Sequence, residues 1–251
     1  MQLNQKGSDN PNMFDLSFIY TKRCDLECPF CMYSSGPDVN DSIDLDALAK
    51  WLGTVDMEHI ASFGLYGGEV GIALAGFGAC MDMATALADK PRFVITNGSW
   101  STNIARTTEF IEFVMKYRCH VVVSGTPEHR RHQNRSVLEA LKEEQPDAIT
   151  LKPKDENFHA MGRLEGKMKF SCSMKCMWWE KASRIAVQPD GTIIYQNCDG
   201  VYPVVGNLSE PFDVVRERVS QMKASGFGRV CPHYERAQRA LELELNEVAE
   251  G

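Results

Sequence analysis

A chain of 251 residues with 43% apolar content is long enough to bury one substantial core, and its formal charge of −7 argues against the basic surface that tight nonspecific binding to duplex DNA requires. The sequence has no apolar run of the roughly 18 residues a membrane-spanning helix needs, and Met1 to Asn10 is polar, so a cytoplasmic protein without a membrane partner is expected. Nine cysteines in that reducing compartment point to metal or redox chemistry rather than to disulfides.

Phe14 to Tyr20 has the alternation of a strand and leads directly into Cys24, Cys28 and Cys31. Asp44 is placed to cap a helix in which Leu45, Leu48, Ala49 and Leu52 recur at helical spacing, and Gly53 suits its end. Ile60 to Tyr66 reads as a second strand, stopping at Gly67 and Gly68. A helix from Ala79 to Asp89, a strand from Arg92 to Thr96, a helix from Ile104 to Tyr117 and a strand from His120 to Ser124 continue the rhythm. A helix from Ser136 to Glu144 and a strand from Ala148 to Leu151 complete five strands before residue 155. This alternation predicts parallel βα units and a barrel-like α/β fold rather than a sandwich.

Past residue 155 the rhythm changes. Cys172 and Cys176 precede Arg184 to Asn197, where Pro189-Asp190-Gly191 separates two β-branched runs and signals a hairpin. Pro211 opens a predicted helix carrying Val214, Val215, Val219 and Met222, and Leu241 to Val248 reads as a charged terminal helix. The expected organisation is a barrel domain over residues 1–155 and a smaller α+β lobe over 156–251.

Ligands in parallel α/β architectures gather at the carboxyl ends of the strands. The cysteine cluster, Gly67-Gly68-Glu69, Thr96-Asn97-Gly98 and Ser124-Gly125 all fall there. The segment Cys24-Asp25-Leu26-Glu27-Cys28-Pro29-Phe30-Cys31 puts three thiols in one short loop, and soft thiolates select iron–sulfur clusters, zinc or copper(I). A structural zinc site is the competing assignment; it needs a fourth Cys or His, and the neighbouring His59 lies beyond a predicted helix. Gly76-Phe77-Gly78 is not a dinucleotide fingerprint, because Met81 stands where the third glycine belongs.

The CxxxCxxC spacing, with an aromatic residue before its last cysteine, resembles the radical S-adenosylmethionine (SAM) superfamily. That resemblance implies a partial (β/α)6 TIM-like barrel in which Cys24, Cys28 and Cys31 hold a [4Fe–4S] cluster, leaving one iron for SAM. An electron passed into the sulfonium then releases a 5′-deoxyadenosyl radical, which abstracts hydrogen from the substrate. The resemblance also implies that Gly67, Gly68 and Glu69 meet the methionine end of SAM, that Asn97, in the third-strand element Thr96-Asn97-Gly98, helps bind SAM, that Ser124 meets its ribose, and that Phe30 lies near adenine. Val70 departs from the proline common at its position. Flavodoxin or ferredoxin is the implied electron donor. Taken alone, these strand ends also suit ordinary turns and caps, and the basic run Glu128 to Arg135 suits either an anionic substrate or a solvated helix entry.

Cys172, Cys176, Cys198 and Cys231 resemble the ligand set of the twitch domain, the shortened relative of the SPASM domain, which implies a second, auxiliary [4Fe–4S] cluster. Their spacing is longer than that family's between Gly191 and Cys198, and zinc or buried free thiols are the other readings. Cys80 and Cys119 are expected in the core. The expected substrate is a small molecule or nucleoside ahead of a peptide, because only a short segment precedes the barrel. A noncatalytic iron–sulfur or zinc scaffold is the rival, and Gly67-Gly68-Glu69 argues against it.

Overall fold

Strand β1 (Phe14–Phe18) is buried along its whole length, as a strand must be when both faces of a parallel sheet are covered. The structure, a computed structural model, describes residues 10, 12–87, 89–154, 163, 183–196 and 203–225. On one side of β1 the chain adds β2 (Ile60–Leu65), β3 (Arg92–Thr96), β4 (His120–Val123) and β5 (Ile149–Leu151), all parallel. On the other side β6 (Ser183–Val187) pairs parallel with β1, followed by antiparallel β7 (Thr192–Tyr195) and β8 (Val204–Asn207). The order β5-β4-β3-β2-β1-β6-β7-β8 is one mixed sheet whose six parallel strands form the expected partial barrel, left open between β5 and β8. The hairpin expected in the smaller lobe therefore extends the sheet of the first domain.

Helices cover one face. These are α1 (Leu45–Leu52), α2 (Leu74–Met83), α3 (Ile104–Tyr117), the short α4 (Pro127–Arg131), α5 (Arg135–Glu144) and α6 (Phe212–Ala224). Phe14, Leu16 and Phe18 project into a core with Trp51, Phe77, Phe110 and Phe212, and the Phe14 ring lies 5.4 Å from Phe212. Burying each such side chain is worth about 1.5–3 kcal/mol. Asp44 caps α1 by accepting from the N–H groups of Asp46 and Ala47, as its position suggests. Asn103 and Asn134 do the same for α3 and α5.

Helix α2 corrects the expected 79–89 span: it begins at Leu74 and ends at Met83. Gly76 and Gly78 lower the helix propensity of its first turns, but packing outweighs propensity there. A Cβ on Gly76 would fall 2.0 Å from the Tyr20 ring, and the Tyr117 hydroxyl donates to the Gly78 carbonyl at 3.1 Å. The predicted terminal helix and Cys172, Cys176, Cys198 and Cys231 lie outside the described residues. Among the described residues no helix is long and apolar enough to cross a membrane.

The inner face of the sheet carries a second, smaller apolar group, Ile19, Tyr66, Ala186 and Ile194, with Tyr33, Phe93 and Ile95 against it. Polar groups lie beside it: Ser62 donates to Asp15 at 2.6 Å, Arg184 stands 3.8 Å from the same carboxylate, and Gln196 joins Tyr33 and Tyr66. Burial pushes the Asp15 carboxyl above its ordinary range, against the opposing pull of Ser62 and Arg184. The folded state thus holds the proton more tightly than the unfolded state, so stability falls as pH rises from the unfolded value through the folded one. Asp15→Asn keeps the acceptor for Ser62 and removes the charge. Its thermal midpoint should exceed that of the parent at neutral pH and lose the parent's decline above about pH 4; a parent midpoint that rises across that interval contradicts the assignment.

Candidate active site

The three cysteines hang from the carboxyl end of β1 in a loop that closes on itself. The Cys24 N–H donates to the Gly36 carbonyl and the Gly36 N–H to the Lys22 carbonyl, while Cys31 turns back on Cys28. Asp41 fixes the loop's start by accepting from the Thr21 hydroxyl and the Lys22 N–H. Cys24, Leu26 and Cys28 pack together, with Phe30 and Cys31 against them. Two backbone donors already face sulfur: the Leu26 N–H lies 3.4 Å from Cys24 Sγ and the Ser35 N–H 3.3 Å from Cys31 Sγ.

Burial pushes the Cys24 thiol up to about 12, and the carboxylates of Glu69 and Asp25 with the neighbouring Cys28 push the same way. Burial and the adjacent Cys31 push Cys28 up to about 11. Sulfurs gathered like this repel as thiolates and need a compensating cation, which is what a cluster supplies. Among the described residues no three His, Cys, Asp or Glu side chains converge as ligands of a single metal ion would. The donor set, three soft sulfurs with N–H groups aimed at two of them, fits an iron–sulfur cluster.

Gly67, Gly68 and Glu69 end β2 and are stapled to the same loop. The Gly68 N–H donates to Thr21 and the Glu69 N–H to Arg23, at 2.8 and 2.9 Å. Gly67 has φ +135°, open only to glycine, and a Cβ on Gly68 would sit 1.8 Å from the Arg23 carbonyl oxygen. The two glycines thus allow the turn to meet the backbone of the cysteine loop.

Glu69 is 1% exposed. Its Oε1 accepts from the Thr96 hydroxyl at 2.6 Å and the Gly71 N–H at 2.8 Å, and its Oε2 from the Asn97 N–H at 2.7 Å. Burial lifts its carboxyl to about 7, offset in part by those donors. Asn97 is buried, and its side-chain amide faces both Asp25 Oδ1, at 3.0 Å, and Cys24 Sγ, at 3.6 Å. Ser124 stands half-buried just past β4, its N–H bonded to the Thr96 carbonyl. Phe30 meets the His129 ring edge to face at 5.5 Å. The structure therefore brings Cys24, Cys28, Cys31, Phe30, Gly67, Gly68, Glu69, Asn97 and Ser124 to one end of the parallel strands.

The basic run forms α4 and the start of α5, with its charges engaged locally. Arg131 pairs with Glu128, Arg135 pairs with Glu139, and Arg130 donates to the Gly125 carbonyl. Cys80 and Cys119 are buried in the core as expected.

Four residues at this end were not anticipated. Arg163 donates to the carbonyls of Cys28 and Ser35, at 2.7 and 2.6 Å, and reaches Glu27 at 3.4 Å. Ser35 links Cys31 Sγ to the Gly67 carbonyl, which its hydroxyl reaches at 3.2 Å. Gln133 ties two strand ends together by donating to the carbonyls of Asn97 and Ser124. Ser99 donates its hydroxyl to Asp25 at 2.6 Å. Ser99 and Gln133 sit beside positions singled out for chemistry; Arg163 has no local signal.

The crystal structure of BtrN in complex with AdoMet and 2-DOIA superposes with a TM-score of 0.60, covering 86% of this chain and 88% of BtrN at 14% identity. The chain has the fold of BtrN. A second BtrN structure, in an open conformation, matches at a TM-score of 0.51, covering 84% of each chain at 15% identity. No protein-family model matches the chain, and no curated protein matches it in sequence. The expected α/β partial barrel is thus found, in the form that BtrN also takes.

Proposed function

We propose that this chain is a radical SAM enzyme that cleaves SAM reductively and abstracts a hydrogen atom from a small-molecule, nucleoside or peptide substrate. The observation that carries the reading is the three-cysteine loop at the end of β1, backbone-bonded to Gly67-Gly68-Glu69 at the end of β2. A zinc scaffold has no use for that second element. A [4Fe–4S] cluster on Cys24, Cys28 and Cys31 would supply the electron that splits SAM into methionine and a 5′-deoxyadenosyl radical.

The chain's own residues do the rest. Gly67 and Gly68 expose backbone beside the loop, and Glu69 provides a carboxylate for the amino group of SAM. Phe30 would offer a ring face to adenine and Ser124 a hydroxyl to the ribose, as the family resemblance implies. The substrate would lie at the inner face of the sheet near β1, β2 and β6, beside the buried group of Ile19, Tyr66 and Ala186. The complex of BtrN with AdoMet and 2-DOIA supports a small-molecule substrate ahead of a peptide. The proposal extends to an auxiliary cluster on Cys172, Cys176, Cys198 and Cys231 within 156–251, supported by four cysteines in that half of the sequence. It also includes a flavodoxin or ferredoxin as electron donor, in the reducing cytosol.

Anaerobic reconstitution should give about four iron and four sulfide per chain for one cluster, or about eight of each for two. Reduced protein incubated with SAM should then release 5′-deoxyadenosine, quantified by chromatography. Full cluster loading without any 5′-deoxyadenosine would replace this reading with a noncatalytic iron–sulfur scaffold.

A further inference from the structure

The side chain of Asn97 is held at every polar atom. Its Oδ1 accepts from the Ser99 N–H at 2.8 Å, and its backbone N–H is bonded to Glu69. Its Nδ2 is left between two acceptors, Asp25 Oδ1 at 3.0 Å and Cys24 Sγ at 3.6 Å. Asp25 is the residue next to Cys24, and its other oxygen accepts from the Ser99 hydroxyl at 2.6 Å and from Arg106 at 3.1 Å. A carboxylate and a cysteine sulfur thus share one fixed amide donor.

We propose that Asn97 and Asp25 are positioning residues that set the reduction potential of the cluster held through Cys24, an inference that rests on the cluster reading above. Two physical effects act here with opposite signs. An N–H donor to a ligating sulfur stabilises the extra negative charge of the reduced cluster and raises its potential. A fixed carboxylate close to that sulfur repels the incoming electron and lowers it. Asp25 does both kinds of work against reduction, because it adds negative charge and draws the Asn97 amide away from Cys24. Arg106, on the first turn of α3, opposes Asp25 with its own charge.

The signs make the assignment testable without turnover. Midpoint potentials of the reconstituted protein are measured by anaerobic redox titration followed by electron paramagnetic resonance, in the absence of SAM. Asp25→Asn should shift the potential upward, since it removes the charge and leaves only a neutral, weaker acceptor competing with sulfur for the Asn97 amide. Asn97→Ala should shift it downward, since it removes the donor. Arg106→Gln, which leaves the cysteine loop and its hydrogen bonds from Asn97 in place, should also shift it downward, and by less as salt is raised. General loosening of the loop has no reason to split the signs of Asp25→Asn and Asn97→Ala.

Should Asp25→Asn or Asn97→Ala fail to load, Arg106→Gln carries the test, and an unshifted potential in it overturns the inference. Potentials equal to the parent's in loaded variants, or Asp25→Asn and Asn97→Ala moving the same way, overturn it as well. A parent chain that assembles no cluster overturns the proposed function and this inference together, whereas a loaded parent with unmoved variants overturns the inference alone.

Discussion

Cys28→Ala should lose 5′-deoxyadenosine formation by far more than the roughly 10- to 100-fold that removing an outer partner costs a metal site, because under the proposed function it removes a ligand itself. Iron uptake at the N-terminal site should fall with it. The fold should survive, since Cys28 belongs to the small group with Cys24 and Leu26 rather than to the main core under the helices. Circular dichroism should therefore match the parent. Cys80→Ala makes the informative contrast. Cys80 is fully buried within α2, so its truncation costs stability through packing while leaving iron content and SAM cleavage intact. If Cys28→Ala and Cys80→Ala lose activity alike, the loop is not the reacting centre.

Gly68→Ala should be the most damaging single methyl group added to this end of the sheet. Its Cβ would lie 1.8 Å from the Arg23 carbonyl oxygen and 2.6 Å from the carbonyl carbon, both backbone atoms that no rotamer change can move. Relief requires the turn and the cysteine loop to part, which breaks the bonds from Gly68 to Thr21 and from Glu69 to Arg23. Overpacking of this kind costs about 1–3 kcal/mol, and two weakened backbone bonds add to it. The expected result is a lowered thermal midpoint together with poor iron retention against a chelator. Gly53→Ala is the control, because Gly53 ends α1 with φ −64° and ψ −15°, a conformation alanine also adopts. A Gly68→Ala protein that melts and loads iron like the Gly53→Ala protein would mean the turn and loop are not coupled.

Periodicity carried most of the fold. The alternation at Phe14 to Phe18, the Asp44 cap and the span Ile104–Tyr117 all follow local rules, and the structure reproduces them because neighbouring residues supply the free energy. Helix α2 departs because its glycines serve distant aromatics, Tyr20 and Tyr117, that local propensity does not see. Strand β8 was not expected, as Val204–Asn207 is too short to show a period. At the site, the sequence placed the cysteines and the Gly-Gly-Glu turn at neighbouring strand ends, where the structure joins them by backbone bonds. For Asn97 the sequence offers a strand-end position and, by resemblance, a place near SAM, but its engagement by Asp25, Ser99 and Cys24 depends on how β3 meets the loop from β1. Arg163 and Ser35 act on backbone carbonyls and a sulfur across the fold, and such partners leave no pattern in sequence.

The position of β1 has a consequence for assembly on the ribosome. The strand that suspends the cysteines is flanked by β2 on one side and, far later in the chain, by β6 on the other, with Phe14 opposite Ser183 and Phe18 opposite Val187. Until that late segment emerges, β1 is an edge with unsatisfied hydrogen-bonding groups, and contacts of such wide sequence separation form slowly. Iron meeting a nascent chain before β6 has emerged would find sulfurs on a half-built support, so any metal insertion would follow the pairing of β6 with β1.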